Sequence, residues 1–224
     1  MPSHAVAISV DAFFWSRRSG VLVARAKGKN LLWREISSET LGEYKALLRD
    51  IQAAGIQALS FVIDGRPGVR RLLNEMFPCA PVQLCQFHAV QTMTKYLTKN
   101  PKLEAGRQLR ELALQLKHCG RVQFARKLRK WHRRWDSFLG ERVEDEDGKR
   151  RYKHRRLRSA YRSLNRNLPW LFACKDHPNL RIPNTTNSCD GWFAHLKQRV
   201  KIHRGLRADR RSKMADFLLE SGVA

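Results

Sequence analysis

Acidic residues are scarce in this chain. Asp and Glu total 20 against 44 Lys and Arg, which leaves a net charge of +24 at pH 7. So one-sided a balance says little about fold, but it points to a polyanionic partner, with nucleic acid the usual one. Long apolar runs are missing too. None reaches the roughly 18 residues of a membrane-spanning helix, and no export signal opens the chain, so a membrane partner is set aside and a cytoplasmic location is expected. Cysteine is sparse: the five, at 79, 85, 119, 174 and 189, are odd in number and scattered. They read as reduced thiols rather than a disulfide framework. Cys85 and His88 have a C-x-x-H spacing, but no second pair stands at zinc-finger distance, and a structural zinc needs four ligands.

What is present falls into three parts. In residues 1–87, AVAISVDAFFW, GVLVARA and NLLWREI read as three strands of a meander, with Lys27-Gly28-Lys29 forming one turn. Leu41, Tyr44, Leu47, Leu48 and Ile51 have helical spacing, and Gly55 stops that helix. QALSFVID is a buried-type strand, Arg66-Pro67-Gly68 opens a second helix, and PVQLCQF is a fifth strand. The order βββαβαβ implies an α/β fold, a mixed sheet with flanking helices. Residues 88–168 change character: Phe124, Leu128, Trp131, Trp135 and Phe138 form one apolar helical stripe, and Leu157, Tyr161, Leu164 and Leu168 another. The acidic stretch 141–149 reads as a polar loop between them. Residues 169–224 lead through a Pro/Asn-rich connection to a helix over about 187–201 and a last one over about 209–221.

The basic charge concentrates in the middle part, where residues 99–166 carry 22 Lys/Arg against 8 Asp/Glu. Arg126, Lys127, Arg129, Lys130, Arg133 and Arg134 crowd one helical face. Such a run is ordinarily just a solvated surface. Here it is nearly all one sign, and like charges four residues apart repel, so a phosphate backbone would relieve the repulsion. Arg126, Lys127, Lys130, Arg133 and Arg134, with Lys197, Arg199, Lys201 and Arg204 further on, are therefore the candidate DNA contacts.

Three of the few acids stand where chemistry would want them. Asp11 interrupts an apolar strand, Asp64 ends another, and Asp190 lies in the first turn of a late helix that Asn187 is placed to cap. Each has a plain alternative: a solvated edge residue, a turn residue in Asp-Gly, a helix cap. Taken together, they are a carboxylate set suited to hard divalent cations.

In order of elements and in motifs the chain resembles the ribonuclease-H-like catalytic domain of DDE/D transposases, the Mutator-like group and its bacterial insertion-sequence relatives in particular. The matching residues are Asp11 in SVDAFFW, Asp64 in IDGRPG, Cys85 and His88 in QLCQFH, and Thr185-Thr186-Asn187 ahead of Asp190. The resemblance implies a ribonuclease-H-like core in two pieces, 1–87 and 169–224, with a basic all-α insertion at 88–168. It further implies Asp11, Asp64 and Asp190 as catalytic metal ligands for two Mg²⁺ or Mn²⁺ ions, and DNA cleavage and strand transfer at transposon ends. Target DNA as partner, a homodimer and a nucleoid-associated place in a bacterial host follow as expectations. Asp190 stands where the family commonly has Glu. Only ten residues precede Asp11, so an N-terminal DNA-binding region is expected to be lacking. Two other readings remain open: a non-catalytic DNA-binding remnant of a transposase, and a ribonuclease-H-type nuclease on RNA–DNA hybrids.

Overall fold

The computed structural model of the chain describes residues 5–144, 146–202 and 205–221, without the side chains of Pro67, Asn187, Ser188, Asp190, Lys201 and Ala208. The chain opens with β1 (Val6–Ser16), β2 (Ser19–Ala26) and β3 (Lys29–Ile36), an antiparallel meander. The β2–β3 turn puts Lys27 and Gly28 at φ of 50° and 78°, the left-handed pair a tight hairpin demands. Helix α1 (Leu41–Ala53) follows, its first turn capped by Thr40, whose hydroxyl accepts the Glu43 N–H at 3.3 Å. Then come β4 (Ala58–Ile63), α2 (Pro67–Met76) and β5 (Val82–Leu84). Sheet order is β3-β2-β1-β4-β5, with β1, β4 and β5 parallel. This five-stranded mixed sheet with flanking helices is the α/β, ribonuclease-H-like arrangement expected from the sequence.

The middle part is helical: α3 (Gln86–Leu97), α4 (Glu104–Leu114), α5 (Arg121–Gly140) and α6 (Arg155–Asn167). The fifth strand is shorter than expected. Cys85 leaves the sheet and α3 starts at Gln86. The stretch expected as a plain polar loop is framed by a small hairpin, β6 (Arg142–Glu144) against β7 (Arg150–Tyr152). A single-turn helix, α7 (Ala173–Asp176), leads to α8 (Asn187–Ile202) and α9 (Ala208–Ser221).

Strand alternation sorts the sheet into two faces. Val6, Ile8 and Val10 of β1, with Phe61 and Ile63 of β4, face α1 and α2, and the same apolar cluster continues into α3–α6 through Met93, Leu109, Phe124 and Leu164. The other face, with Phe13, Val21, Val23 and Trp33, is covered by α8 and α9 through Trp192, Phe193, Leu196 and Leu219. The sheet is therefore a middle layer, and α8 is laid across the strand that carries Asp11.

Candidate active site

Asp11 and Asp64 are brought together by the sheet itself. In the parallel β1–β4 pair, Ile8 lies opposite Phe61 and Ser9 opposite Val62. Continuing that register two residues sets Asp11, midway along β1, beside Asp64, the residue after the last one of β4, on neighbouring strands about 4.8 Å apart. Alternation puts Asp11 on the face opposite Val10, the side of β1 covered by α8, and Asp64 follows directly on Ile63, the last residue of β4. Asp11 is half-buried and accepts the Ala12 N–H at 2.8 Å, while Asp64 accepts the Arg66 N–H at 3.3 Å. Ligand sites of parallel sheets gather at this strand end.

The third acid rides on α8. Phe13, two residues along β1 from Asp11 and on the same face, stacks on Phe193 with ring centroids 5.4 Å apart. Phe193 follows Asp190 by three residues, so the two share a side of the helix. The backbone thus carries position 190 to the face that bears Asp11. The Asp190 side chain itself, like those of Asn187 and Lys201 and all of Arg204, lies outside the described residues. Asn187, expected as a cap, is the first residue of the helix. Cys189 and Trp192 on either side of Asp190 and Gly191 are buried, and the Arg25 guanidinium sits 5.0 Å over the Trp192 ring.

The N-terminal end of α8 is tied down by the C-x-x-H motif. Thr186 is fully buried, and its N–H and hydroxyl reach the Cys85 Sγ at 3.3 and 3.4 Å. Burial pushes the Cys85 thiol up, but the hydrogen bonds of His88 and Thr186 outweigh it, and the thiol sits below its ordinary value. Cys85 ends β5 just as its N–H donates to Ile63 O, the residue before Asp64, at 2.8 Å. Cys85 therefore connects, through its N–H and its sulfur, the end of β4 ahead of Asp64 to the start of α8, the helix that carries Asp190.

Sequence reasoning missed two residues that reinforce this junction. Gln83 and Gln86, 0% and 3% exposed, both donate to Leu171 O, at 2.9 and 2.8 Å. Gln83 Oε1 also accepts the Cys174 N–H at 2.9 Å, and Gln86 N–H donates to Asn184 O at 2.9 Å. Buried glutamines are uncommon enough that their place inside an apolar strand was the available signal.

A second missed cluster borders the acids. Tyr44 OH donates to Glu39 at 2.7 Å, and Arg66 pairs with the same carboxylate at 2.9 Å while its guanidinium also donates to Glu39 O at 2.7 Å. Burial first, then the carboxylates of Glu39, Asp64 and Asp11, holds the Tyr44 phenol far above its ordinary value. The phenol is thus within electrostatic reach of both strand acids.

The expected DNA contacts differ among themselves. On α5, Arg126, Lys130 and Arg133 are exposed. Lys127 turns inward, its ammonium donating to Gln115 at 2.6 Å, and Arg134 leans to Glu104 at 3.7 Å. Lys197 and Arg199 on α8 are exposed. Among the described residues, no group of three or more His, Cys, Asp or Glu forms a metal cluster, and no helix is long and apolar enough to cross a membrane.

The family model for the Mutator family of transposases matches residues 27–167, well over half of the chain. This protein belongs to the Mutator family of transposases. That membership makes DNA its partner and transposition its general activity. A search of curated proteins finds no match. The matched span contains Asp64, Cys85 and His88, while Asp11 and Asp190 lie outside it and are tied to the site by register and by α8.

Proposed function

We propose that this transposase cleaves DNA strands and transfers them by phosphodiester transesterification, with Asp11, Asp64 and Asp190 as its catalytic acids. The parallel register that sets Asp11 beside Asp64 carries the reading. Two carboxylates at that spacing offer hard oxygen donors, the chemistry that magnesium and manganese prefer, so the residues present fit such ions. Two ions bound there would supply activation of water or of a 3′-hydroxyl and stabilisation of the leaving oxygen.

The chain's own contributions are positional. The sheet fixes the two strand acids rigidly, because both follow apolar residues that are fully or almost fully buried, Val10 and Ile63. The Cys85–Thr186 contact holds the first turn of α8, and with it position 190, against β5 and β4. Glu39 engages Arg66 and keeps that cation from folding onto Asp64. Tyr44 stays protonated beside the acids and adds no negative charge to them. Exposed Lys197 and Arg199, one to three turns beyond Asp190, face phosphate from the same helix.

The test is nicking of supercoiled plasmid DNA in Mn²⁺ by the wild type, Asp11→Asn and Asp64→Asn proteins. Nicking by the wild type and none by either variant is expected. DNA binding without nicking by the wild type selects the non-catalytic remnant. Cutting confined to an RNA–DNA hybrid selects the ribonuclease-H-type nuclease.

A further inference from the structure

Gly65, the residue after Asp64, also lines the mouth of a surface recess of about 300 Å³ whose opposite wall is α6. Tyr96, Ser159, Arg162 and Arg166 line it as well. Tyr96 and Ser159 continue into a second recess of about 540 Å³ that holds Lys153, Arg155 and Arg156. The two form one groove that starts beside a catalytic acid and runs the length of α6.

The sequence of α6 is built for this. Leu157, Ala160 and Leu164 are buried on one side. Arg155, Ser159, Arg162 and Arg166 step by 4, 3 and 4 along another, which is one helical stripe. Arg155, Arg162 and Arg166 are exposed, and the described residues place no carboxylate in ion-pair contact with any of them. Their neighbours are already committed: Arg156 donates to Lys95 O at 2.6 Å and Arg158 to Leu139 O at 2.8 Å. At the acid's end the stripe meets another cation. Arg70 lies over the Trp170 ring at 3.4 Å, and burial, then the charge of Arg166, lowers its pKa. Arg70 and Arg166 repel at this end of the stripe, and an anion bound there would relieve the repulsion.

We infer that the α6 stripe, Arg155, Arg162 and Arg166 with Ser159 between them, is the track for the phosphate backbone of the DNA strand that enters the acid site at Gly65. Arg155 to Arg166 spans about 16 Å of helix, the rise of about five nucleotides of duplex. The inference rests on the transposase reading for the acids, and it moves the main DNA contact from α5, where charge counting put it, to α6.

The measurement is metal-free binding of a generic 30-base-pair duplex across salt concentrations. It compares the wild type with two variants that remove equal charge, R155A/R162A/R166A on α6 and R126A/R129A/R133A on α5. The α6 variant is expected to lower the slope of log affinity against log salt by about 2–3, and the α5 variant by about one or less. The Lys versions of the α6 residues should restore the slope. An α6 variant that keeps the wild-type slope, or an α5 variant that loses more, overturns the track while leaving the acid site untouched. A wild type that binds no duplex overturns both. Ser163→Glu, which adds charge to the same groove, gives an independent reading: weaker binding supports the track, and unchanged binding contradicts it.

Discussion

Single residues set how well this site holds its shape. Thr186 is fully enclosed and both of its donors are spent on the Cys85 sulfur. Thr186→Val keeps the size but removes the hydroxyl donor, so it should cost about 1 kcal/mol of stability and depress nicking through a displaced α8. Denaturant melts paired with the plasmid assay check this. Gln83→Leu should cost about 1–3 kcal/mol, because Cys174 N–H loses its acceptor and Leu171 O loses one of its donors. Tyr44 gives a pH signature. A phenol held above its ordinary value keeps its proton in the folded state after the unfolded chain has lost it. Its contribution is therefore whole below about pH 10 and declines as pH rises further. Tyr44→Phe should flatten that alkaline loss, measured as denaturation midpoints at pH 9 and pH 11.

Among the elements, α8 depends on one apolar seam. Phe193 against Phe13, with Leu196 and Trp192 beside it, attaches the helix to β1. Phe193→Ala should cost about 3–5 kcal/mol and loosen the third acid from the other two, seen as a drop in thermal midpoint together with lost nicking. Most element identities were legible from their apolar periods: a loose period of two in β1, carried by Val6, Ile8 and Val10, and the 4-3-4-3 stripe of α5. The places that were not legible have local causes. Cys85 is apolar enough to extend a strand pattern, yet its N–H is taken by Ile63 O and its carbonyl by Ala89 N–H, so the chain turns into α3 there. The β6–β7 hairpin has two three-residue strands in which Val143 and Tyr152 stand among charged residues, too short for an apolar alternation to announce it. Lys127 looked like one more cation of a wet face, but the α4–α5 turn placed Gln115 within its reach. The pair Asp11 and Asp64 was legible as two acids at strand positions; that they are register neighbours needed the sheet order.

At the scale of the whole molecule, a net charge of +24 surrounds a mixed sheet whose parallel β1–β4 pair sets Asp11 beside Asp64. Attraction to DNA is general, whereas the proposed chemistry is confined to Asp11, Asp64 and Asp190. The central claim is that Asp11, Asp64 and Asp190 form one metal-holding set. Calorimetric titration of Mn²⁺ into protein held on a short duplex, comparing wild type with Asp190→Asn and Asp11→Asn, tests it most directly. The account predicts sharply weaker Mn²⁺ binding for both variants with little change in melting temperature. Unchanged Mn²⁺ binding by Asp190→Asn, with only a lowered melting temperature, would contradict it and leave Asp190 as a helix cap.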